Sequence, residues 1–205
     1  MGLLVVGAGG HAKVVVDIAH AAGIRVAGVV GHPGDPEAVL GIPVSFDRSD
    51  FDADSFVIAL GDNAKRAAAF VEYLELGLEP TQVVHPSVLV GQGVALGAGT
   101  VVAAGVVINA DARIGANVIL NTGCTVDHDC IIGDHAHVGP GVNLCGGVRV
   151  GEGALVGVGA CAIPLAQIGD WSVVGAGSAV TASVPPRGVW GGVPARPLRG
   201  ESGAA

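Results

Sequence analysis

From Val90 to Val184 the chain keeps a six-residue period without an insertion. Positions 90, 96, 102 and so on to 180 are Val, Leu or Ile in fifteen of sixteen cases, Ala162 being the exception. The fourth residue after each is always small, from Val94 and Thr100 to Ser178 and Val184. The residue directly after the aliphatic one is most often Gly. A period of six over 95 residues matches a coiled strand array and not the 3.6-residue period of helices. Each hexad reads as one short strand and one corner. The aliphatic residue points inward, the small residue packs below it, and a Gly or polar pair turns the chain. Three hexads make one 18-residue coil of a triangular parallel β-helix. About five coils, stacked at strand spacing, give a prism roughly 25 Å tall.

The composition agrees. Half of the 205 residues are apolar, yet aromatics are only 3% and glycines number 35, so the core is built from small aliphatic groups and the turns from Gly. The formal charge is −8, and the ten Lys and Arg form no cluster. Nucleic acid and anionic membranes call for concentrated positive charge and are not expected partners. An anionic ligand would fall to backbone N–H groups and single arginines, Arg196 and Arg199 among them. The start, MGLLVVGAGG, has no basic segment, and no apolar run nears the roughly 20 residues of a membrane span. A cytoplasmic protein is expected. Cys124 and Cys130 occupy the small inward slot of consecutive hexads and read as core thiols on different faces.

The first eighty residues follow another pattern. Leu3–Val6 is an all-apolar strand, GAGGHA a glycine-rich turn, and residues 13–23 a helix with Val14, Val15, Ile18, Ala19 and Ala22 on one side. Strands follow at 25–31 and 55–61, and a second helix over 63–77. Strand, glycine turn, helix, strand is a βαβ unit whose helix N-terminus can hold a phosphate. Gly7, Gly9 and Ala12 match the dinucleotide-binding spacing. The acid expected at the end of the second strand is replaced by Gly31-His32-Pro33, with Asp35 the nearest carboxylate. With about three strands, the unit suits one nucleotide or sugar nucleotide better than NAD. A purely structural turn is the alternative. The expected division is an α/β unit over 1–84, the β-helix over 85–184 and a tail over 185–205, the tail lying along the prism.

The segment TVDHDC, 125–130, places His128 and Asp129 at a corner, facing outward. Eighteen residues on, Gly146 and Gly147 stack upon them. Two glycines leave a notch beside the imidazole with backbone N–H groups in reach. His137 falls on the next face. Gly151 is a repeat glycine away from the notch. A solvated corner is the alternative for His128, a surface residue for His137 and a capping role for His11. His20, His32, His85 and His135 carry no chemistry in the pattern alone.

GAGGHA, HPSV at 85–88, INA at 108–110, ILNTGCTVDHDCIIGDHAHVGPGV at 119–142 and GVPARPL at 192–198 together resemble the NeuD/PglD-type sugar acetyltransferases, in the same order and over nearly the whole chain. The resemblance implies a trimer. It implies a small Rossmann-like domain for a nucleotide-linked amino sugar, and a left-handed β-helix of the hexapeptide-repeat superfamily for acetyl-CoA. It makes His128 the general base and Asp129 its acidic partner. It places His137, Gly146, Val158 and Ala176 on acetyl-CoA, with Gly146 as a backbone donor near the thioester. Gly10, His11, Ala12, Gly31, His32 and Gly61 fall on the sugar-nucleotide side. Many members carry acids where this chain has Gly31-His32. The implied reaction is N-acetylation of a nucleotide-linked 4-amino-4,6-dideoxy sugar without a metal. A sialic-acid-type O-acetyltransferase, a zinc lyase using histidines from two chains, and a non-catalytic sugar-nucleotide sensor are the competing readings.

Overall fold

A computed structural model describes residues 2–198. Its N-terminal layer comprises β1 (Gly2–Val6), α1 (Gly10–Ala21), β2 (Val26–Val30), β3 (Ala38–Val39), β4 (Ile42–Ser45), β5 (Ala53–Ile58), α2 (Asn63–Glu75) and β6 (Glu79–Pro80). One sheet joins them in the order β3-β4-β2-β1-β5-β6. It is parallel except for the β3–β4 hairpin. Side chains alternate across it with the strand period of two. Leu3, Val5, Val57 and Ala59 pack with Ala12, Val15, Val16, Ile18 and Ala19 of α1. Leu4, Val6, Phe56 and Ile58 pack with Phe70 and Tyr73 of α2 on the other face.

Two expectations need correction here. The sheet has six strands rather than about three: β3 and β6 are two-residue strands, and the four-residue β4 is interrupted by Pro43, so none shows an apolar run. Helix α1 starts at Gly10 rather than Lys13. Gly9 is extended (φ −78°, ψ −167°) and serves as an N-cap without a side-chain hydrogen bond. Gly10, His11 and Ala12 therefore form the first helical turn.

The β-helix follows. Every expected inward residue from Val102 to Val180 and every small one from Thr100 to Val184 is buried. Three sheets form the prism. Face one runs from Val83–Val84 through Ile119–Leu120 and His137–Val138 to Val189–Gly191. Face two runs from Leu89–Val90 through Thr125–Val126 to Ala179–Val180, and face three from Ala95–Leu96 to Gln167–Ile168. Coils repeat at 18 residues, as in Ile108 opposite Val126 and Val126 opposite Leu144. The first rung lies one hexad before Val90. Corner residues fall in the left-handed region, including Asn117 (φ 53°), Asp129 (φ 59°) and His135 (φ 59°), which share that slot with glycines such as Gly123 and Gly147. Cys124 and Cys130 are buried free thiols as read, and burial pushes the Cys124 thiol up to about 12.

The tail does not lie along the prism. Val189–Gly191 adds a rung to face one, parallel to Val173–Val174, and Arg196–Pro197 returns antiparallel to it. Trp190 and buried Ala195 close the end of the core. The side chain of Arg196 turns back to its neighbour's carbonyl, and Arg199 lies outside the described residues.

The two layers meet on face one, where Val83, Val101 and Ala103 join the core around α1. Fully buried Arg66 of α2 pins the junction, donating to the carbonyls of Leu60, Asn117, His135 and Ala136. Asn117 returns a bond to the carbonyl of Arg66 and meets Nδ1 of His135. His135, which the pattern left without a role, is thus a junction residue, edge-on to Phe70.

Candidate active site

His128 stands at the corner between faces two and three. The β-helix sets its neighbours by arithmetic. A Cβ built on Gly146 would lie 2.6 Å from both Cε1 and Nε2 of the imidazole. Gly147 donates its N–H to the carbonyl of His128 over 2.9 Å, locking the two coils together. The notch read from the sequence is present, lined by Asp127, His128, Asp129, Cys145, Gly146, Gly147, Pro164 and Leu165, with a volume of about 380 Å³. Gly146 is not in the left-handed region, unlike Gly147. Its lack of a side chain serves the imidazole and not the turn.

The ring is oriented. Nδ1 of His128 lies 2.7 Å from Oδ2 of Asp129. The carboxylate accepts the Nδ1–H, so Nε2 carries the free lone pair and faces the notch. The hydrogen bond to Asp129, and then the charge of Asp127, hold the imidazole above the ordinary histidine range.

A second cluster forms at the junction of the layers. His11, in the first turn of α1, packs against His137 on face one with ring centroids 6.4 Å apart. The Gly61 backbone approaches the same imidazole, and Asn121 Nδ2 meets Nε2 of His137 at 3.1 Å. His137 is mostly buried, against the surface reading. His11 Nε2 and His137 Nδ1 are buried without a hydrogen-bond partner. Burial, followed by the charge of Arg66, lowers both to about 4, so both rings are neutral at pH 7. Within one chain, this cluster and the His128 corner occupy different faces. Among the described residues no three His, Cys, Asp or Glu side chains converge as a metal would require, and no helix is long and apolar enough to cross a membrane.

Comparison with known proteins follows the same division. A family model described as the PglD N-terminal domain matches residues 2–73. A bacterial transferase hexapeptide model of six repeats matches residues 111–146. The crystal structure of PerB from Caulobacter crescentus, in complex with CoA and GDP-perosamine, is 41% identical. The alignment covers 97% of this chain and 98% of that one, with a TM-score of 0.93. The chain belongs to the NeuD/PglD-type sugar acetyltransferases. The acetyltransferase domain of PglB from Neisseria gonorrhoeae, solved with acetyl coenzyme A, is 33% identical over 96% of this chain and 98% of that one, with a TM-score of 0.86. WeeI from Acinetobacter baumannii, 24% identical over 97% of this chain and all of that one, shares the fold with a TM-score of 0.89. No match is found among curated protein sequences.

In this PglD-type acetyltransferase the other expected residues fall on two surfaces. Val158 and Ala176 are exposed at successive turns of the corner between faces one and two, joined by the Gly177 N–H to the Val158 carbonyl at 2.8 Å. Gly31 directly follows β2, where a Cβ would meet Val44 and the Asp35 carboxylate. That carboxylate accepts the His32 N–H at 2.8 Å. An acid therefore does stand at the end of the second strand. The reading in linear order gave Asp35 only as the nearest carboxylate; the 32–35 turn brings it back to the strand end. Three residues escaped that reading: Arg66, Asn109 and Asp127. Asn109 and Asp127 lie 18 apart in one outward column, a signal the hexad register does contain.

Proposed function

We propose that this acetyltransferase transfers the acetyl group of acetyl-CoA to the amine of a nucleotide-linked 4-amino-4,6-dideoxy sugar, with His128 as general base. The observation that carries the reading is the His128–Asp129 pair aiming Nε2 into the Gly146 notch, in a chain 41% identical to an enzyme solved with CoA and GDP-perosamine. Two further structures, of the perosamine N-acetyltransferase with one histidine changed to Asn or Ala, fit a histidine base.

The chemistry follows from the geometry. A sugar amine is largely protonated at neutral pH. The amine gives up that extra proton to solvent as it binds; its nitrogen then attacks the thioester carbonyl carbon, and Nε2 takes the second proton that the nitrogen sheds as the C–N bond forms. The carbonyl π pair moves to oxygen as the C–N bond forms. The N–H of Gly146 makes no backbone bond among the described residues and can donate to that oxyanion. The oxyanion collapses, the C–S bond breaks, and the CoA thiolate takes the proton from the imidazolium. Asp129 keeps Nδ1 protonated throughout.

In this reading residues 1–84 hold the sugar nucleotide, 85–184 carry the transfer and 185–205 form the tail. Gly10, His11, Ala12, Gly31, His32 and Gly61 receive the sugar nucleotide, with Asp35 beside its ribose. His137, Val158 and Ala176 line the acetyl-CoA path. The working form is a cytoplasmic homotrimer in which His128 of one chain meets the junction cluster of the next. Exposed Leu89, Val158, Ile163 and Leu165 support a buried contact. The test is thiol release from acetyl-CoA across GDP-, UDP- and dTDP-linked 4-amino sugars. Release with the GDP-linked sugar above the others is expected. Release with a free sugar alone, or with none of the panel, sinks the reading.

A further inference from the structure

Under the base lies a column of side chains that the reaction has not yet used. Asn109, in the INA segment, stands one coil below Asp127. Its Nδ2 donates to Asp127 Oδ1 over 2.8 Å. The same oxygen accepts the backbone N–H of His128 at 2.8 Å. Asp127 is held from below and in turn holds the main chain of the base. One coil higher the column continues with Cys145, and the Gly146 N–H is unpaired among the described residues. The corner under His128 is therefore braced by a carboxylate, while the corner above it keeps its donor free.

We propose that Asn109 and Asp127 are positioning residues for acetyl transfer: they fix the backbone of the corner from which His128 reaches the substrate, as Asp129 fixes its ring. The inference rests on His128 being the base. The groups facing the imidazole are Asp127, Asp129 and the Cys145 thiol, with Asp111 in the corner slot beneath Asp129. The coil above presents Gly146, Gly147, Pro164 and Leu165. The charge of Asp127 adds to the raising of His128, and the Asn109 bond keeps Asp127 ionised.

Asn109→Ala frees the carboxylate but leaves its charge. Asp127→Asn keeps an acceptor for the His128 N–H and removes the charge. Asp127→Ala removes both. Displacing a reacting group by about 1 Å costs up to about 100-fold in rate. Asn109→Ala and Asp127→Ala are expected to lower kcat by about 10-fold, with KM for acetyl-CoA and the melting temperature unchanged. Asp127→Asn is expected to recover most of kcat while moving the acidic limb of the rate profile to lower pH. His128→Ala is assayed alongside. Normal kcat in both alanine variants, beside an inactive His128→Ala, overturns the positioning role and leaves the base standing. Loss of kcat that tracks a loss of melting temperature, with the limb of Asp127→Asn unmoved, overturns it as well. An active His128→Ala overturns both readings.

Discussion

Arg66 donates through Nη2 to the carbonyl of His135 over 2.5 Å, across the junction between the α/β layer and the β-helix. Its guanidinium is fully buried and donates to the backbone carbonyls of Leu60, Asn117, His135 and Ala136; burial lowers it to about 10. Removing it leaves four carbonyls without that donor, those of Asn117 and Ala136 buried and those of Leu60 and His135 part-buried. Arg66→Met is expected to cost about 3 kcal/mol or more. It should also expose His11 and His137. Thermal unfolding and histidine modification by diethyl pyrocarbonate measure the two effects. An unchanged melting temperature with protected histidines would refute the clamp.

At the notch, the ring that a methyl on Gly146 would strike is an exposed, rotatable side chain. Gly146→Ala is therefore expected to turn the imidazole aside rather than unfold the coil. Its kcat should fall by about 10-fold at constant melting temperature. Gly151 is not the permissive control that its place in the repeat suggests, because a Cβ there would lie 2.5 Å from the Asp170 nitrogen. Gly105→Asn is the better control. Its slot (φ 72°) is left-handed like that of Asn117, and a Cβ there meets nothing closer than 3.8 Å. It should retain activity. Wild-type kinetics in Gly146→Ala would place the thioester elsewhere.

His128→Ala should lose about 10²–10⁴ in kcat, the usual worth of a general base, and still bind acetyl-CoA, since the ring faces outward. Asp129→Asn should lose less. The base must be neutral to act, and its hydrogen bond to Asp129 raises it. Activity should therefore fall as pH drops through a value above the ordinary histidine 6.5. In Asp129→Asn that limb should move toward lower pH. A limb at the same pH in both enzymes would contradict the pairing.

The junction histidines predict a second pH effect, on stability. His11 and His137 are held at about 4 in the fold against about 6.5 in an unfolded chain. Their folded values are depressed. The stability they contribute is complete above about 6.5 and is lost as pH falls toward about 4. At pH 5 the loss is on the order of 1–2 kcal/mol for each ring. The melting temperature should drop by several degrees between pH 7 and 5, and the His11→Gln, His137→Gln double variant should show a flatter profile. A wild-type profile as flat as the variant's would argue against neutral buried rings.

Much of this was legible in linear order. The hexad register placed Val126 inward, Cys130 in the core and Gly146 over His128, because a coil of constant length converts sequence distance into height. What it could not convey was how the two layers dock. Arg66 and Asn117 are 51 residues apart and meet only because α2 lies along a corner. The register therefore left His137 open between a ligand contact and a surface residue of face one, since it cannot show that His11 of α1 packs beside it. The β3–β4 hairpin and the Asp35 turn were hidden for a related reason: each is two to four residues long and owes its form to a neighbour, Val44 pairing with Val29 and Asp35 capping His32.

Constant coil length also limits how such a chain can change. His128 and Gly146 sit on adjacent rungs, so a coil inserted between them would part them by another 4.8 Å or so. Any insertion that is not a whole coil would turn every later inward residue onto the wrong face. An added coil beyond Leu165 would lengthen the corner that bears Ala176 and leave the reacting groups in place. Lineages of this architecture can accordingly tailor their reach toward a long ligand by adding whole rungs at one end.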